Sequence, residues 1–189
     1  MTASTETTMT STDVMSSERL VLRSADPSDF EPLYQVVFSD EQVMKQAFYD
    51  RPMSREQASE FFRDEFDFCG SGKRLGVLCL KDGTIIGFSG LLACTVLGEP
   101  DDFEIGFVLG RSFWGKGYAT EIGKAQVRFG FEQAGCSRLL GVVREDNAAS
   151  KRALSKSGLS FHSTVETTDR GVREVYCVLK TEWAFSNRR

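Results

Sequence analysis

Apolar and polar residues alternate along Arg19-Leu20-Val21-Leu22-Arg23, which predicts a first short strand. Asp26-Pro27-Ser28-Asp29 then reads as a helix start: a capping aspartate, proline at the first helical position and an acid in the first turn. That helix is expected to run through Leu33, Val36 and Val37 to about Phe38, with a second short piece from Glu41 to Phe48. Ser54-Arg55-Glu56-Gln57 is a capping-box signature for a third helix, from Arg55 to about Phe68. Apolar runs at 75–80 and 84–97 flank Lys81-Asp82-Gly83, a strong hairpin signal.

After the turn Gly98-Glu99-Pro100-Asp101 comes a strand-like run around Glu104. A helical stripe of Ala119, Ile122, Ala125 and Phe129 follows Gly117 and is expected to end near Gly135. Residues 139–143 predict a strand, 147–157 a helix stopped by Gly158, and 159–166 and 173–180 two closing strands joined by Thr168-Asp169-Arg170-Gly171. The order β, helices, hairpin, β, α, β, α, β, β implies an α/β or α+β domain on a mixed sheet. Residues 1–16 read as a disordered Ser/Thr-rich tail, 17–185 as a single domain and 186–189 as a short C-terminal tail.

The 189 residues suit one domain with an ordinary core, at 41% apolar and 26% charged. A formal charge of −4 without any basic run argues against nucleic-acid binding. Cys69, Cys79, Cys94, Cys136 and Cys177 are scattered and His162 is the only histidine, so neither a disulfide framework nor a metal site is expected. The thiols suit a reducing cytoplasm. No apolar stretch is long enough to span a bilayer, so no membrane partner is expected.

The chemistry concentrates at Trp114-Gly115-Lys116-Gly117. Gly110 to Lys116 satisfies G-x-x-x-x-G-K, but a nucleotide-hydrolysing loop needs a magnesium-binding hydroxyl at the next position, where Gly117 has none. A dinucleotide fingerprint fails too, since Thr120 occupies the place of its third glycine. What remains is a metal-free pyrophosphate cradle, formed by backbone amides from about Gly115 to Thr120 at a helix N-terminus with Lys116 nearby, or else an ordinary tight strand-to-helix turn.

Three segments carry a resemblance: Glu104-Ile-Gly-Phe-Val-Leu109, Phe113-Trp-Gly-Lys-Gly-Tyr-Ala-Thr-Glu121, and Asn147-Ala-Ala-Ser150 running on to Gly158 and Phe161. Together they resemble the acetyl-CoA-binding core of the GNAT N-acetyltransferases, most of all the branch of the ribosomal-protein N-terminal acetyltransferases RimJ and RimL. The motifs cover roughly 103–161, and Glu18-Arg-Leu-Val-Leu-Arg23 fits the family layout. Ser112, with Arg111 before it, departs from the family's usual Gln or Arg ahead of the turn, and the later helix lacks the tyrosine many members carry.

The resemblance implies a mostly antiparallel sheet flanked by helices and splayed between the Glu104 strand and the 139–143 strand. It implies free backbone at Phe107, Val108 and Leu109 for pantetheine, with an N–H near Phe107 or Val108 at the thioester oxygen. Trp114, Gly115, Lys116, Gly117, Tyr118, Ala119 and Thr120 would surround the pyrophosphate. Lys151 and Arg152 are candidates for the 3′-phosphate, against the reading of ordinary exposed helix cations. Gly106 marks either a bulge or relief of crowding. Glu104 is the candidate base, through water, against the reading of a solvated strand carboxylate. Asn147 is a helix cap that also touches pantetheine, and Ser150 would hold the leaving sulfur. Tyr176 and His162 read as structural before functional. Acetyl-CoA is the implied co-substrate, without metal. The acceptor is a primary amine, with a protein N-terminus favoured over a small amine or aminoglycoside. A non-catalytic acyl-CoA sensor is the other class, and a homodimer is compatible with the resemblance.

Overall fold

The computed structural model describes residues 11–47, 51–168 and 171–186. Phe48 and the centre of the closing turn, Asp169 and Arg170, lie outside them, as do the first ten residues of the expected tail. In chain order come β1 (Asp13–Ser16), β2 (Leu20–Arg23), a 3-10 turn (Pro27–Asp29), and α1 (Phe30–Leu33), which continues as a π turn (Tyr34–Phe38). There follow α2 (Glu41–Gln46), α3 (Arg55–Glu65), β3 (Leu75–Leu80), β4 (Ile85–Ala93) and β5 (Phe103–Leu109). The remainder is α4 (Tyr118–Glu132), β6 (Arg138–Val143), α5 (Ala148–Lys156), β7 (Ser160–Thr167), β8 (Gly171–Leu179) and α6 (Lys180–Ser186).

One eight-stranded sheet runs β1-β2-β3-β4-β5-β6-β8-β7. Its pairs are antiparallel except β5–β6, which is parallel and joined only at Phe103↔Leu139 and Glu104↔Leu140. Beyond Glu104 the two strands separate, and the expected splay is this gap.

The local signals translate directly into structure. The Asp26 side chain accepts from the Ser28 N–H, the Ser54 hydroxyl from the Gln57 N–H, and both capping boxes are closed. Gly83, at φ +89°, closes the β3–β4 hairpin through its N–H to the Leu80 carbonyl. Two helical layers then cover the sheet. On one face α1 to α3 bury Phe38, Phe62 and Phe66 against Val77, Phe88 and Val108, with the Phe38 and Phe88 rings 5.6 Å apart. On the other, Val127 and Phe131 of α4 and Leu154 of α5 pack on Leu91, Ile105 and Leu139.

Three expectations are corrected. The tail does not extend through residue 16: Asp13–Ser16 pairs with β2, because Met15 is buried against Leu20, Leu22 and Ile122. The third helix stops at Glu65, because Phe66 turns extended to enter the core. There the Asp67 carboxylate ties down the N–H groups of Cys69, Gly70 and Gly72. Finally, the last strand ends at Leu179 and Lys180–Ser186 form α6, anchored by the Trp183 ring 5.4 Å from Phe131, while residues 187–189 of the expected tail lie outside the described residues.

Candidate active site

The gap between β5 and β6 is the centre of the site, and the β5 ladder determines which groups face it. Cys94 N–H donates to the Asp102 carbonyl and Gly110 N–H to the Ile86 carbonyl, both at 2.9 Å. These bonds bracket an unbroken β4–β5 register. Backbone groups of an antiparallel strand alternate in direction, so Glu104, Gly106 and Val108 turn theirs toward β4. Ile105, Phe107 and Leu109 turn theirs toward the gap. Of the expected pantetheine partners, Phe107 and Leu109 offer backbone and Val108 offers only its side chain. The Leu109 carbonyl already accepts from the Trp114 indole N–H at 2.7 Å, leaving its N–H.

Side chains follow the same period of two. Glu104 lies on the α1–α3 face with Val108, and Ile105 and Phe107 lie on the α4 face. Glu104 is only 3% exposed, and its Oε2 stands 3.9 Å from the Cys94 thiol. It is therefore no solvated surface carboxylate. Burial raises the Cys79, Cys136 and Cys177 thiols above their ordinary range, which leaves less reactive thiolate at neutral pH.

The glycine turn leads into α4 without a side-chain cap. Gly115 and Gly117 take φ of +74° and +83°, a region that suits glycine. The first-turn amides of α4 are consequently bare at the positive end of a fifteen-residue helix. An uncapped N-terminus facing a groove fits a diphosphate. The groove occupies about 650 Å³ and is bordered by Trp114, Gly115, Gly117, Tyr118, Ala119 and Thr120 on one side. Asn147, Ser150, Arg152 and Lys156 border it on the other, with Phe107, Val108 and Leu109 as its floor. Lys116 does not border it, since its ammonium rests 5.5 Å from the Phe113 ring.

Asn147 caps α5 with its Oδ1 on the Ser150 N–H at 3.0 Å, worth about 1 kcal/mol. Its Nδ2 donates to the Gln46 carbonyl at 3.3 Å, tying α5 to the end of α2. Lys151 is paired with Glu174 at 3.0 Å and does not border the groove, so of the two expected 3′-phosphate partners only Arg152 does. Tyr176 is buried in the core, and its hydroxyl donates to Glu174. His162 is exposed beside Ser163.

A second chamber of about 90 Å³ adjoins the groove and shares Gln46, Ala47, Phe107, Val108, Asn147 and Ser150 with it. Glu104, Arg144 and Arg173 also line it. The gap thus joins Glu104 from one face of the sheet to Ser150 from the other. Among the described residues no cluster of His, Cys, Asp and Glu is placed to hold a metal ion. Nor is any helix among them long and apolar enough to cross a membrane.

The family model described as an acetyltransferase (GNAT) domain matches residues 19–160. The chain belongs to the GNAT acetyltransferase family. This GNAT chain is similar to an FsC-acetyl coenzyme A-N(2)-transacetylase of Aspergillus fumigatus, 27% identical over 76% of this chain and 67% of that protein. Its fold is similar to that of a GNAT-family acetyltransferase from Bacillus anthracis, with a TM-score of 0.74 and 22% identity over 89% of this chain and 99% of that one. It is also similar to the spermidine N-acetyltransferase of Vibrio cholerae solved with CoA and spermine, with a TM-score of 0.69 and 15% identity over 87% and 98% of the chains.

Sequence reasoning assigns no role to four residues that lie behind the groove and chamber of this GNAT chain and do not line them. Arg19 and Glu121 bind each other beside the glycine turn, across 102 positions of sequence. Ser89 and Gln126 meet at the Gly106 carbonyl, with donor distances of 2.7 and 3.0 Å. Gln126 also donates to the Gly90 carbonyl at 2.7 Å, while its Oε1 is buried without a partner. Only Gln126 leaves a trace in the sequence: it is a polar residue on the apolar side of a helix. An unmatched buried acceptor costs about 1–3 kcal/mol, which an apolar residue there would avoid.

Proposed function

We propose that this GNAT enzyme acetylates a primary amine by direct attack in a ternary complex, with Glu104 serving the amine and Ser150 the departing sulfur. The observation that carries the reading is the 90 Å³ chamber through the split sheet, which has both side chains in its lining.

Acetyl-CoA supplies an activated acyl group as a thioester. The chain's own residues do the remaining work. The bare amides of Gly117 to Thr120 and the α4 dipole hold the diphosphate. Backbone at Phe107 and Leu109 aligns the pantetheine arm in the gap. The Phe107 N–H meets negative charge as it grows on the thioester oxygen. Glu104 takes a proton from the amine through water, and its burial keeps that proton transfer away from bulk solvent. The Ser150 hydroxyl donates to the sulfur as it leaves; an ordinary thiol pKa near 8.5 makes thiolate stabilisation sufficient.

We assign the acceptor as an α-amine at a protein N-terminus, in the manner of the RimJ and RimL branch. Neutralising an α-amine near pKa 7.8 at pH 7 costs about 1 kcal/mol, against about 4–5 kcal/mol for a lysine near 10.4. A water-linked carboxylate meets the smaller demand. Arg144, which shares its charge with Asp146 at 3.0 Å, and Arg173 line the same chamber.

The test is a panel of short peptides with free N-termini, polyamines, aminoglycosides and lysine side-chain mimics, followed by release of free thiol. Peptides with a free α-amine are expected to be turned over most efficiently. Turnover confined to polyamines or aminoglycosides overturns the acceptor assignment. Tight cofactor binding with no thiol released across the panel makes the domain an acyl-CoA sensor instead.

A further inference from the structure

We propose that Ser89 and Gln126 are positioning residues that fix and polarise the Phe107 amide, the group placed to receive charge from the thioester oxygen. The inference rests on the cofactor reading of the gap and adds two residues from outside every cofactor motif.

The peptide unit between Gly106 and Phe107 is planar and trans, so the Gly106 C=O and the Phe107 N–H point in opposite directions. Aiming one aims the other. The Gly106 carbonyl receives the Ser89 hydroxyl at 2.7 Å and the Gln126 Nε2 at 3.0 Å. Both donors are fully buried at 0% exposure, Ser89 on β4 and Gln126 on α4. Their pull on the carbonyl, toward β4 and α4, directs the Phe107 N–H into the gap where β5 has lost β6 as a partner.

The β4–β5 ladder sets the direction of this peptide, but its N–H side has no strand partner to hold it. Two side-chain donors on its carbonyl limit its tilt, and they draw electron density away from the N–H. Hydrogen bonds in such a chain strengthen one another. A donor that is already oriented stabilises growing charge without reorganising during the reaction.

The Gln126 orientation supports a donor role. Its Nε2 bridges the Gly90 and Gly106 carbonyls, and its Oε1 meets no partner. The amide is therefore held there as a donor and used for nothing else. Leucine or methionine would fill the same stripe of α4, beside Ile122, without burying an unmatched oxygen.

The experiment compares wild type with Ser89→Ala and Gln126→Met in three measurements. These are steady-state kinetics, CoA affinity by calorimetry, and the Phe107 amide resonance in protein labelled with ¹⁵N-phenylalanine, assigned through Phe107→Leu. Each variant is expected to lose about tenfold in kcat, with KM for acetyl-CoA and CoA affinity within about twofold of wild type. The Phe107 amide proton is expected to move upfield in both variants, as a less polarised donor should. Unchanged kcat with an unmoved Phe107 resonance overturns the proposal. So does a common loss of CoA affinity and kcat, which marks a merely structural role. If Gln126→Met fails to fold, Ser89→Ala alone decides between these outcomes. A wild-type protein that binds neither CoA nor acetyl-CoA defeats the cofactor reading itself, an outcome distinct from intact variants of an active enzyme.

Discussion

Arg19 holds Glu121 from two directions, its main-chain N–H on one carboxylate oxygen and its Nε on the other, each at 2.7 Å. The Ser17 hydroxyl donates to the same carboxylate at 2.7 Å. The guanidinium also donates to the Lys116 carbonyl at 3.1 Å and lies 4.6 Å from the Tyr118 ring centroid. The segment leading from β1 into β2 therefore braces the glycine turn from outside. It also offsets a carboxylate that stands in the first turn of α4, where a diphosphate would be repelled by it.

Replacing Arg19 by Met is expected to weaken acetyl-CoA binding by about three- to thirtyfold, since both the brace and the charge compensation are lost. Arg19→Met combined with Glu121→Gln should recover most of the affinity if charge dominates. Calorimetry at low and high salt is the check, and the single variant's deficit should shrink as salt rises.

The same pair gives a pH signature. Burial works to raise the Glu121 carboxyl, but hydrogen bonds from the Arg19 N–H, the Ser17 hydroxyl and the Arg19 guanidinium outweigh it and hold the group below its ordinary 4.5. A carboxyl lowered on folding contributes stability above its unfolded pKa and loses it as pH falls through the folded value. Wild type should therefore exceed Arg19→Met/Glu121→Gln in Tm at neutral pH. The difference should narrow on acidification below pH 4.5, as followed by thermal melts from about pH 7 to about pH 3.

Ser150→Ala and Glu104→Gln are each expected to lower turnover by about ten- to a thousandfold while cofactor affinity is largely kept. Ser150 joins the α5 cap through its main-chain N–H, so the cap survives removal of the hydroxyl. Single-turnover kinetics beside calorimetry separates the chemical step from binding. Wild-type turnover in both variants would remove their assigned roles.

Gly117→Ala tests the cradle through backbone alone. A β-carbon there would approach nothing closer than the Arg19 Nη2 at 3.5 Å, so space is no obstacle. The φ of +83° is the obstacle, at a cost of about 1–2 kcal/mol. Relief of that strain would rotate the first amides of α4, and acetyl-CoA affinity is expected to fall by about tenfold.

Gly90→Ala should instead act on stability. A β-carbon at Gly90 would stand 2.1 Å from the Arg74 carbonyl oxygen, a backbone atom that cannot turn aside. The expected loss is about 2–3 kcal/mol, or a Tm lower by about 5–10 °C by differential scanning calorimetry.

Much of the site is legible in the sequence because its signals are local. Gly115 and Gly117 announce a turn that only glycine makes easily, the Ala119-Ile122 stripe announces the helix behind it, and Asn147 followed by Ser150 announces a capped first turn. Each depends on dihedral preferences and hydrogen bonds within a few residues. β1 and α6 are not legible, since Met15 and Trp183 become core residues only when Ile122 and Phe131 arrive from elsewhere in the chain.

By itself, then, the chain's order of residues determined most of the strands and helices between β2 and β8, where the glycine turn falls and which residue types could do acyl transfer. Tertiary structure alone decided that Glu104 is buried, that Phe107 rather than Val108 points its amide into the gap, and that Gln126 reaches the Gly106 carbonyl. The reason is physical. A strand's backbone direction depends on its partner's register, and a gap exists only where two strands from distant segments stop pairing.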